Sequence, residues 1–248
     1  MALSSVQVSA RPNLRATKIL DWEYPGIRKL ADELRPQAQS PRDYVQAVHQ
    51  HLTSRLRPIY DLDEFQPASV TLERGAGSCS QRMACLEAIS RAGGVCTRVR
   101  ALHVNGAFWY PRFPLLRVFI PERILLVWPQ FLLDESWVDF DELYAPIMQL
   151  AKNSPGSFRN DGESLFEAVQ HAPVDFSGKS CGLSCAKPEY DLSKFVLSDE
   201  GVFDTRDEVF DRFGSFQHTM RGKIFRLLFS GRASVRLPIR QISTIPAK

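Results

Sequence analysis

One cysteine in this chain stands where a nucleophile would. The run Arg74-Gly75-Ala76-Gly77-Ser78-Cys79-Ser80-Gln81-Arg82 leads into Met83, Leu86 and Ile89, with Ala84, Ala88 and Ala92 between and beyond them. Apolar residues recurring every third position predict a helix, and Gly93-Gly94 supplies its stop. Cys79 therefore falls in the first turn. There the positive end of the helix dipole favours thiolate. Arg74 and Arg82 add positive charge, opposed locally by Glu73. First-turn N–H groups are free to hold an oxyanion. These are the needs of a cysteine that attacks an acyl carbon. The alternative is a small buried apolar residue, the common fate of a free cysteine.

Other elements must hold that cysteine against partners. A helix is expected from Ser40, with Pro41 at its first position and Tyr44, Val45, Val48 and Leu52 on its buried face. His49 and His51 read as surface residues, because they point about 200° apart on a helix. Thr97 to Val104 reads as a strand, Asn105-Gly106 as a hairpin turn and Ala107 to Tyr110 as the returning strand. Ile124 to Leu133 is almost wholly apolar and so central, with Pro129 marking a bulge or an edge. Asp134-Glu135-Ser136 turns into Trp137-Val138-Asp139-Phe140-Asp141. Helices first and an antiparallel meander after them make the fold α+β.

These residues resemble the transglutaminase-like superfamily, a papain-type fold, over roughly 40–145. Gly77 and Cys79 fit its cysteine motif. Gly93/Gly94 through Arg98 fit its glycine-to-arginine segment. Trp128 fits the tryptophan of the histidine strand, and Asp141 fits the aspartate four residues after a strand tryptophan, here Trp137. The family histidine stands two residues before the first tryptophan and fifteen before the aspartate. Both counts land on Leu126, which cannot accept a proton. Position 130, often an acid in the family, is Gln130.

The resemblance implies a transglutaminase-like core with a C-terminal extension. It implies catalytic roles for Cys79 and Asp141, and a substrate or oxyanion region around Gly77, Ser80, Gln81 and Trp128. His103, on the strand after the cysteine helix, is the candidate replacement base; its alternative is a strand histidine facing solvent. His171 ranks below it. Asp139 competes with Asp141. Two functions stay open: cysteine-dependent acyl or amide transfer or hydrolysis, on a peptide, natural-product-type or carrier-bound acyl substrate, and a degenerate member whose cleft binds a peptide or partner.

The chain divides into an N-terminal arm (1–20), the core (21–150) and the extension (151–248). Residues 151–191 are loop-rich, with a short helix expected at 163–170. Residues 192–216 are expected to be helical. The last 32 residues hold seven Arg or Lys and no acid. In part amphipathic, that end reads as a helix packing on the core, with a membrane surface or an acidic partner as alternatives. Cys181 and Cys185 form C-x3-C without a second pair, so no metal or cofactor is expected.

Composition sets the outer bounds. Hydrophobic residues are 44% and charged residues 24% of 248, enough for a core and against a disordered chain. The net charge of +3 is too small to imply nucleic-acid binding. No apolar run nears the roughly 18 residues of a membrane span, so no membrane contact is expected. Without a signal segment, the chain reads as cytoplasmic, where thiols stay reduced.

Overall fold

The helix that begins at Cys79 is the hub of the fold. In the computed structural model, which describes residues 12–114, 117–154, 156–180 and 190–215, this helix, α4, spans Cys79–Ala92. It is buried from Gln81 to Arg91. Ser78 and Gln81 close a capping box at its start: Ser78 Oγ accepts from Gln81 N at 3.3 Å, and Gln81 Oε1 accepts from Ser78 N at 3.0 Å. At its end Gly94 takes φ 83°, a left-handed conformation glycine adopts freely. Gly93 lets Tyr44 approach; a Cβ there would lie 2.3 Å from the ring, and Tyr44 Oη donates to Ile89 O at 2.8 Å.

Three helices pack on α4: α1 (Pro25–Leu34), α2 (Pro41–Arg55) and α3 (Ala68–Arg74). α2 starts as the sequence predicts, with Ser40 Oγ accepting from Asp43 N at 3.1 Å. Neither α1 nor α3 has a side-chain cap, which is why the sequence does not announce them. A parallel pair, β1 (Arg57–Pro58) and β2 (Ala76–Gly77), ties the loop after α2 to the residues before Cys79.

On another side of α4 lies an antiparallel sheet of β3 (Thr97–Asn105), β4 (Arg123–Leu133), β5 (Ser136–Asp139) and β6 (Val196–Phe203), in the order β5-β4-β3-β6. β4 is interior, as its apolar run predicts. Pro129 sits one residue outside the stretch that pairs with β5, so its missing N–H opposes no partner on that side.

Several expectations are corrected. Gly106–Trp109 is a 3-10 helix, not a turn and returning strand. Asn105 Oδ1 accepts from Ala107 N at 2.9 Å, and Gly106 N donates to Glu122 O at 2.9 Å. The chain loops out over 106–122 before Arg123 pairs with Asn105. The arm is not loose throughout, since Leu14, Ile19 and Leu20 are buried. Residues 196–203 are a strand: pairing with β3 overrides a sequence with no alternation. Only 206–213, α7, is helical there, and the helix expected at 163–170 is α6 (Leu165–Ala168). α5 covers Ile147–Asn153. Cys181, Cys185 and the basic C-terminal segment lie outside the described residues.

Candidate active site

Cys79 opens on a cavity of about 250 Å3. Its wall is mostly apolar, including Met83, Ile124, Leu126, Trp109 and Phe210. Helix geometry brings Cys79 and Ser80 to this wall, because they open α4. β4 brings Leu126 to the same wall. The loop before α6 supplies Asn160 and Ser164.

The thiol does not have the low pKa expected at a helix start. Burial, reinforced by the Glu167 carboxylate, pushes it up to about 11; Arg82, the Phe166 backbone and Arg112 oppose this and lose. The two arginines meant to lower it are spent elsewhere. Arg74 donates to Asp61 Oδ2 at 2.8 Å, Gln81 Oε1 at 2.9 Å and Ala76 O at 2.9 Å. Arg82 pairs with Glu167 and lies over the Phe166 ring, 4.3 Å from its centroid.

The other candidate residues are dispersed. His103 is not in the cavity wall. Its Nδ1 lies 2.9 Å from Glu200 Oε1 on β6 and 3.0 Å from an Arg123 Nη atom, and its ring meets Phe213 edge-on at 5.6 Å. Asp141 is buried, and its Oδ1 accepts from Trp128 Nε1 at 3.0 Å. Burial first, then the charge of Asp139, pushes the Asp141 carboxyl up to about 7. The strand tryptophan thus takes up one oxygen of the Asp141 carboxyl. Asp139 accepts from Gln130 Nε2 at 2.6 Å. Gln81 is a latch: besides the capping box, its Nε2 donates to Asp63 O at 2.9 Å. Gly77 permits close packing, since a Cβ there would meet Thr71 Cγ2 at 2.7 Å. His171 pairs with Glu163 at 2.9 Å, half-exposed.

His49, read from sequence as a surface residue, is fully buried. Its Nε2 lies 2.6 Å from Phe166 O, so Nε2 carries the proton, and Nδ1 accepts from Tyr144 Oη at 2.7 Å. Burial lowers its pKa to about 4. It is a neutral structural histidine that anchors α6 to α2.

Behind the cavity lies a polar network that periodicity did not reveal. Ser80 Oγ donates to Glu64 Oε2 at 2.5 Å and accepts from Arg206 at 3.2 Å. Arg206 pairs with Glu87 on α4 at 2.5 Å and donates to Val127 O on β4 at 3.2 Å. Arg206 and Glu87 are fully buried. Among the described residues, no group of three His, Cys, Asp or Glu could hold a metal ion, and no helix is long and apolar enough to cross a membrane.

Residues 28–142 match the family model of the transglutaminase-like superfamily, a span that includes Cys79, Leu126, Trp128 and Asp141. No curated protein matches the sequence. Among solved structures, a crystal structure from Cytophaga hutchinsonii, described as a candidate cysteine protease, is similar with a TM-score of 0.46 and 11% identity. The match covers 83% of this chain and 52% of that one, so this chain spans about half the length of that protein.

Proposed function

We propose that this chain, whose residues 28–142 match the transglutaminase-like superfamily model, has given up the family chemistry and uses its cleft to bind a compact apolar ligand. One observation carries the reading: Leu126, the residue on which the motif count for the family histidine lands, lines the same cavity as Cys79. Nothing in the wall is placed as an imidazole base, and Asp141 is committed to Trp128. A thiol pushed up to about 11 is almost entirely protonated at neutral pH, and the protonated thiol is not the nucleophile. What remains is a partly open, mostly apolar cavity with polar groups among its lining, the usual make-up of a small-ligand site.

Two readouts test this. Iodoacetamide labelling of Cys79, followed by peptide mass spectrometry from pH 6 to 10, is expected to stay slow through pH 9. Selective labelling with an apparent pKa below the usual thiol value of about 8.5 would overturn the reading and restore acyl transfer on Cys79. In parallel, the dye 8-anilino-1-naphthalenesulfonate is expected to bind with enhanced fluorescence. Leu126→Glu, which puts a charge of the dye's own sign into the apolar wall, should abolish that signal. Dye fluorescence unchanged in Leu126→Glu would exclude the cavity as the binding site.

A further inference from the structure

Charge accounting around the cavity leaves two residues over. Three cation–carboxylate pairs ring the start of α4, and each is closed: Arg74 with Asp61, Arg82 with Glu167, and Arg206 with Glu87. Glu64 and Arg112 both line the cavity, and neither is in an ion pair among the described residues. Glu64 Oε2 accepts from Ser80 Oγ, while its Oε1 accepts no hydrogen bond among the described residues. Burial pushes the Glu64 carboxyl up, the mark of a carboxylate short of counter-charge; the Ser80 hydrogen bond and Arg206 oppose the shift, and Arg206 is already paired with Glu87. Arg112 donates only to neutral acceptors: Asn160 Oδ1 at 2.9 Å, Tyr60 Oη at 3.4 Å and Glu163 O.

A charge beside apolar surface without a counter-charge is costly, and a bound ion of opposite sign removes the cost. The two left-over charges are of opposite sign, yet they do not pair with each other. They are held apart: Glu64 by Ser80 at the start of α4, Arg112 by Asn160 and Tyr60. The Arg112 guanidinium still acts on Cys79, so the thiol lies within the field of the Arg112 end. We infer that the ligand is a compact apolar zwitterion, an apolar amino acid or dipeptide, with its ammonium on Glu64, its carboxylate on Arg112 and its side chains against Leu126 and Phe210. This rests on the apolar-ligand reading above and names its ligand class.

The test is titration calorimetry of the full chain with L-phenylalanine and Leu-Phe, and with the N-acetylated and C-amidated forms of each. At least one parent compound is expected to bind. Each blocked form should bind about tenfold or more weaker, the usual scale for a lost charge-assisted hydrogen bond. Glu64→Gln should erase the penalty for N-acetylation and leave that for amidation; Arg112→Met should do the reverse. Melting curves of both variants verify that they fold. Blocked and free forms binding equally would overturn the charge assignment. So would penalties that persist unchanged in the variants. Binding of the uncharged 3-phenylpropanol but of no zwitterion would also overturn it, while leaving the apolar-ligand reading intact. Failure of all these compounds together with the dye would defeat both.

Discussion

α4 meets charge on two sides, and the two sides are built differently. Along its buried length, each charged side chain is answered by a distant segment. Arg82 meets Glu167 and Glu87 meets Arg206. Arg91 donates to Thr97 Oγ1 at 2.7 Å, Arg15 O at 2.7 Å and Asp204 O at 2.6 Å. At its open start, Glu64 and Arg112 face the cavity without counter-ions among the described residues. In the first region burial demands a full set of protein partners, a counter-charge for Arg82 and Glu87 and several neutral oxygens for Arg91, because water cannot replace a lost partner. In the second, the cavity can admit a partner. Charges closed within the protein hold its segments together; charges left open at a cavity are available to a ligand.

The sharpest way to break this contrast is to open a closed pair. Arg206→Met strands Glu87 in the interior and should cost about 3–5 kcal/mol in urea unfolding. Adding Glu87→Leu should recover most of that loss. A single variant as stable as the parent would show that the buried face is not held by matched charge.

A smaller effect is expected with pH. Asp141 titrates near 7 in the fold against 3.8 unfolded. Between those values the unfolded chain has lost a proton that the fold retains, so stability falls as pH rises through the window and levels off above it. His49 acts oppositely: its folded pKa of about 4 lies below 6.5, so stability is lost as pH falls from 6.5 towards 4. Asp141→Asn keeps an acceptor for Trp128 Nε1. It should flatten the upper slope and gain on the order of 2 kcal/mol at pH 8, read from melts at pH 5 and 8. An unchanged slope would mean that Asp141 is not the group responsible.

The smallest effect sharpens the contrast from the cavity side. Glu64→Gln and Arg112→Met should each shift unfolding free energy by under about 1 kcal/mol, against several for Arg206→Met. A loss of 3 kcal/mol in either would mean that these charges serve the fold and not a ligand.

What the sequence determined by itself is what neighbours along the chain decide. Ser40-Pro41 and Gly93-Gly94 bound their helices because capping and left-handed backbone are local effects. The unbroken apolar run of β4 made it interior. Cys79 at a helix start was legible because the Ser78 cap before it and the apolar repeat after it lie along the chain. What only the tertiary structure decided was who partners whom. His103 went to Glu200, Asp141 to Trp128, His49 to the interior and Arg82 to Glu167. Arg206 and Glu87 stand 119 residues apart. β6 was invisible because its conformation comes from β3, not from its own pattern. The direction of the Cys79 shift was misjudged for the same reason. A helix dipole is written in the local sequence, but desolvation and the carboxylate of Glu167 arrive through packing, and at this half-buried thiol they outweigh it.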